Sequence, residues 1–207
     1  MIKKLKQWIL PKEINFFGSL SRQSQLTSQI IRELAHFYVD NASENPDPIF
    51  ELIADAKKMR LVNLKDLNAA FITPVDKEAI SRAYVHLHWV ALSIKHLVVE
   101  IDAYKIYELN PYKRMFHLLE QEMDQLTTGF GMLDAKKYDA VLDHVYQVIH
   151  WDDQLIKEYA ALLAGLFQQA EIPYILKHRE ILSQLKEVGK RIHICANHLE
   201  DIVFKMN

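Results

Sequence analysis

Ten histidines and a single cysteine are the residues of this 207-residue chain best suited to chemistry. A di-metal carboxylate bundle requires a Glu-x-x-His pair on each of two helices. One such pair is present, Glu33 and His36, about what chance supplies. His86 and His88 are two residues apart and His193 and His198 five apart, so on a helix neither pair shares a face. Any metal would therefore draw its imidazoles from two helices. Without such company a histidine is a neutral, half-exposed hydrogen-bonding side chain. Asp139 and Asp143, and Glu120 and Asp124, are carboxylates four apart that could face one hard cation, but solvated surface acids are the commoner outcome. Cys195 has no partner for a disulfide, which fits a reducing cytoplasm, and it falls in an apolar helical pattern as core packing. A glycine-rich phosphate loop, HExxH and CxxC are absent, so no familiar catalytic motif is present.

The elements that must position these residues are helices. Half the residues are hydrophobic and a quarter charged, with only 5 Gly and 6 Pro to interrupt them. Prolines mark the helix starts. Asp47-Pro48, Thr73-Pro74 and Asn110-Pro111 each set a capping side chain before a residue that needs no intrahelical N–H partner. Thr73 with Asp76 three residues on forms a box-like cap, and Asp134 before Ala135 marks a further start. Six segments follow: 17–40, 48–70, 74–108, 111–132, 135–169 and 173–206.

Two of them show sustained apolar seams. In the third, Ile80, Tyr84, Leu87, Ala91, Ile94 and Val98 alternate at 3-4 spacing up to Ile101. In the sixth, the same spacing links Leu182, Leu185, Gly189, Ile192, Ala196, Leu199 and Val203, extended by Ile175, His178 and Met206. Such seams predict shallow helix crossings in a bundle, and no stretch alternates with period two as a strand would. Pro74 and Pro173 lie 99 residues apart, each opening a long helix. Medium helix, helix, long helix is thus read twice, predicting two three-helix units: residues 1–109 and 110–207.

A net charge of -2 leaves no electrostatic footprint for nucleic acid. The one basic cluster, MIKKLK, reads as a solvated N-terminal arm. The stretch Trp8–Leu10 is too short for a secretory signal, and no apolar run approaches the roughly 18 residues of a spanning helix. Contact with a membrane would then run only through a partner. Long seams with spare apolar faces also make a homodimer an expectation.

FITPVDKEAI, residues 71–80, followed by a long helix, resembles the hallmark of the PhoU-like proteins of the DUF47 (UPF0111) family. The closing stretch LKEVGKRIHICANHLEDIVFKMN is similar to that family's last helix, and the order of six helices agrees over nearly the whole chain. The resemblance implies an all-α PhoU-like fold of two tandem three-helix bundles. It implies a cytoplasmic, non-enzymatic accessory or regulator of inorganic phosphate transport, partnered with a Pit-type phosphate transporter or a signalling protein. It also implies metal clusters held by acidic motifs on the second and third helix of each bundle.

At the matching positions this sequence departs from that pattern. They fall at Ile53 and Lys57, at His88, Trp89 and Leu92, at Ile149 and Asp153, and at Lys190, His193 and Ile194. Only Asp153 among them is acidic. A hard-cation cluster needs several anionic oxygens, so the resemblance here predicts no cofactor. The expectation is that protein groups replace the ions: Lys190 pairs with Asp153, Ile149 meets Ile194, and imidazoles fill vacated ligand positions. The alternative is a helical-bundle protein or enzyme with a zinc or iron site built on His88, His193 and Asp153.

Overall fold

The protein is described by a computed structural model, covering residues 14–169 and 171–206. The MIKKLK cluster lies outside the described residues. Six α-helices run α1 Phe16–Ala35, α2 Asp47–Ala69, α3 Lys77–Tyr104, α4 Lys113–Met132, α5 Tyr138–Leu166 and α6 Ile172–Phe204, with no strand among the described residues. A π-turn, His36–Asp40, extends α1 to where the first segment was expected to end. No described helix is long and apolar enough to cross a membrane.

The helix order follows the sequence, but the caps do not. Asp76, not Thr73, starts α3: its carboxylate accepts from the Ala79 N–H at 2.8 Å. The same carboxylate meets Lys205 Nζ at 3.0 Å, which ties the start of α3 to the end of α6. Aspartate caps as well as threonine does, and only here does a cation from another helix add to the choice. Asp47 is already inside α2 rather than capping it, and Asn110 opens a 3₁₀ turn, Asn110–Tyr112, without a side-chain cap. Asp134 does not start α5, which begins four residues later. It instead accepts from Asn15 Nδ2 at 2.7 Å, steadying the residue that caps α1 through the Gly18 N–H. Asp76→Ala is therefore expected to cost about 1 kcal/mol, and Thr73→Ala less than about 0.5 kcal/mol. Urea midpoints of the two variants measure the difference; equal losses would return the cap to Thr73.

α1, α2 and α3 pack on one another, and so do α4, α5 and α6. α1 against α4 and α3 against α6 join the two sets. The last pair is antiparallel, with His86 beside His198 and Gln184 donating to Glu100 at 2.6 Å. The seam of α3 from Ile80 to Ile101 is fully buried, and that of α6 is buried from Leu182 to Val203. Ile175 and Met206 pack only partly against the core.

The 99-residue step between Pro74 and Pro173 recurs in the burial. Phe16, Leu20, Gln23, Thr27, Ile31 and Leu34 of the first unit are buried, and so are Met115, Leu119, Glu122, Leu126, Phe130 and Leu133 one step later. In α2, Ile49, Ile53, Ala56 and Leu67 are matched by Val148, Asp152, Leu155 and Leu166 of α5.

Candidate functional site

In the first half a polar chain crosses the interior. Gln23 of α1 donates from Nε2 to the Tyr84 carbonyl at 2.8 Å, and Asn63 of α2 donates to Gln23 Oε1 at 2.9 Å. Both amide ends are satisfied, as buried amides must be. One step later stands Glu122, fully buried, with neither carboxylate oxygen hydrogen-bonded. Leu162 occupies the place of Asn63, so the amide donor is gone. Burial, and then the charge of Asp152, pushes the Glu122 carboxyl well above the usual carboxylate range, favouring its protonated form.

Gly189 of α6 makes room for this carboxyl. A methyl group there would lie 3.3 Å from both Glu122 oxygens and 2.2 Å from Leu155 Cδ2. Beside them Asp152 of α5, 7% exposed, accepts from His193 Nδ1 of α6 at 2.6 Å. Three helices thus bring together a buried glutamic acid side chain and a hydrogen-bonded Asp–His pair.

This cluster corrects the expected charge pair. Asp153 is exposed, and Lys190 lies 3.9 Å from Glu187 on its own helix. The acid turned inward is the preceding residue, Asp152, and its partner is His193. One residue along a helix is a rotation of about 100°, enough to exchange core for solvent. Ile149 is partly buried at the edge of the core. A double-mutant cycle on Asp152 and His193 is expected to give a coupling near 1 kcal/mol, and one on Lys190 and Asp153 less than about 0.5 kcal/mol. The reverse ordering would restore the original pairing.

His88 and His193 do not meet. His88 lies partly buried beside Arg60 and Lys57 of α2, and burial and then those cations lower its pKa. Lys57 and Arg60 are poor company for a hard cation, and Ile53 offers no donor. Asp152 and His193 already satisfy each other, and among the described residues no three His, Cys, Asp or Glu side chains converge on a metal position. The donor set does not fit the hard-cation clusters that the PhoU-like resemblance implies.

The other candidates are structural in their contacts. Asp124 accepts from Arg32 Nη2 at 2.6 Å and from Ser28 at 3.0 Å, joining α4 to α1. Asp139 and Asp143 are exposed. His36 closes the π-turn with Asp40 at 3.5 Å. Cys195 is fully buried, which raises its thiol far above its ordinary value and leaves it no nucleophile. His86 stacks on His198 with ring centroids 4.0 Å apart, edge-on to Trp89. Burial, His198 and two arginines push His86 down to about 4, so the imidazoles act as neutral packing groups between α3 and α6.

What faces solvent most openly is the FITP loop. Phe71 is 92% and Ile72 81% exposed, while Val75 beside them is buried. A short loop between α2 and α3 thus holds two large apolar side chains out of the core. The apolar pair Phe71-Ile72, in the gap between the expected segments 48–70 and 74–108, was the available signal for them.

Glu122 is the residue that sequence reasoning missed. A glutamate amid Leu118, Leu119, Met123 and Leu126 breaks an apolar helix face, and that break was the available signal.

No protein-family model matches the chain. It is 24% identical over 184 residues to the UPF0111 protein YkaA of Bacillus subtilis (strain 168), a match covering 84% of this chain and 90% of that protein. This similarity agrees with the resemblance that the FITPVD and C-terminal motifs carry to the UPF0111 proteins.

Proposed function

We propose that this protein is a non-enzymatic, PhoU-like regulator or accessory of inorganic phosphate transport. It is built as two tandem three-helix bundles, residues 1–109 and 110–207, and works in the cytoplasm by binding the cytoplasmic face of a Pit-type carrier. The duplicated reading is supported by the burial pattern that repeats after 99 residues, from Phe16 and Leu34 to Met115 and Leu133. The binding reading is supported above all by Phe71 and Ile72, which the hallmark loop holds almost fully in solvent at a cost in apolar exposure that folding does not require. The protein works without the metal clusters of PhoU relatives, because cationic and apolar side chains stand at their ligand positions in the first half and an Asp–His pair closes the second.

Co-purification tests the proposal. Detergent-extracted membranes holding a candidate Pit-type carrier should retain the wild-type chain. A variant with Phe71→Ser and Ile72→Ser should keep its thermal stability and lose most of that retention. Retention unchanged by the double substitution would remove the loop from the interface, and no retention by any such carrier would remove the proposal.

A further inference from the structure

We propose that the outward face of α5 is the surface through which two copies of this chain pair, with the two α5 helices antiparallel. α5 packs on α4 and α6 through Val141, Val145, Val148, Asp152 and Leu155, which are buried. A second row runs beside that one at 3-4 spacing: Tyr146, Ile149, Ile156, Leu163 and Phe167, completed by Asp153 and Ala160, with Ile149 and Leu163 partly packed on the core and the others outward. Tyr146 is 53% exposed, Ile156 47% and Phe167 56%. Asp153 is the row's only charged member. A heptad-like row of this length is the pattern of a helix that buries two faces, and the described residues supply a partner for one.

The fold itself does not ask for this row. One repeat earlier, the same face of α2 carries Asp47, Lys57 and Asn68 where α5 carries Tyr146, Ile156 and Phe167. Phe50 and Leu64 match Ile149 and Leu163, so the two helices differ at the three most exposed of these positions, which are apolar only in α5.

Charge selects a second copy as the occupant. Asp143 and Lys157 flank the row on one side, each seven residues from His150. An antiparallel pairing about His150 sets Asp143 of each chain opposite Lys157 of the other, twice by symmetry. It also sets Tyr146 against Ile156, Leu142 against Ala160, and brings Asp153 beside His150 of the second copy. The Asp143–Lys157 contact is then made twice, and the interface is self-complementary as a two-fold contact requires.

Sedimentation equilibrium on the purified full chain tests this without any carrier, so its outcome is independent of the transport reading. The wild type should sediment at twice the chain mass at tens of micromolar. Ile156→Glu, Asp143→Lys and Lys157→Asp should each weaken pairing by about tenfold or more, with unchanged circular dichroism. An equimolar mixture of Asp143→Lys with Lys157→Asp should pair again as a heterodimer, since both cross-chain contacts regain opposite signs. A monomeric wild type, a dimer untouched by Ile156→Glu, or a mixture that stays as monomers overturns the proposal. The two charge variants alter exposed residues, so the mixing result stands even where Ile156→Glu fails to fold.

Discussion

Gly189→Val is expected to remove about 3 kcal/mol or more of stability, the upper end of what an overpacked core gives up. The added Cβ alone would lie 2.2 Å from Leu155 Cδ2 and 3.3 Å from both oxygens of Glu122. Leu155 is fully buried, so its side chain can yield only by displacing other core side chains. Valine in place of glycine gains a few tenths of a kcal/mol in helix propensity, too little to offset the clash. Gly189→Ala regains about 1 kcal/mol by propensity and should be the milder of the two. Urea unfolding followed by circular dichroism measures both. Wild-type stability in Gly189→Val would mean that α5 and α6 do not approach as closely as described.

Glu122→Met should stabilise the protein by about 1–3 kcal/mol near pH 8, because it replaces an unpartnered buried carboxyl by an apolar side chain of similar volume. The direction with pH follows from the raised pKa. The fold favours the protonated acid, so its contribution is fully present below the ordinary value of 4.5 and is lost as pH rises through the folded value. Wild-type stability should therefore decline on the alkaline side more than that of the variant, and the gap between them should narrow toward pH 4.5. A variant less stable than wild type at alkaline pH would show that Glu122 is held by a favourable interaction, and would make it a binding group.

These two predictions concern residues of unequal legibility. Gly189 was visible as the small member of the α6 seam, between Leu185 and Ile192. What its absent side chain makes room for was not visible, because Glu122 and Leu155 come from other helices. The seams of α3 and α6 were legible residue by residue, since 3-4 apolar spacing needs only the chain's own period. The helix ends were less so: Thr73-Pro74 reads as a cap by local rules, and Asp76 takes the role with Lys205 as its partner from the far end of the chain. α3 ends at Tyr104, and the residue that caps it, Lys105, has a φ of 58° where no glycine announces the stop. The expected end at residue 108 ran past it for that reason.

The site shows the same division. The replacement of acids by Ile53, Lys57 and His88 could be read directly. Which acid faces inward could not, because Asp152 and Asp153 are adjacent and their helix phase depends on how α5 leans against α4 and α6. The sequence by itself determined the six helices, their order and their buried seams, since these follow from local periodicity and from signals contiguous in the chain. Only the tertiary structure decided that Asp152 pairs with His193, that Glu122 is left without a partner, and that Phe71 and Ile72 stand in solvent. Each of these depends on the rotation and crossing of helices far apart in sequence, where a turn of about 100° per residue separates a buried acid from an exposed one.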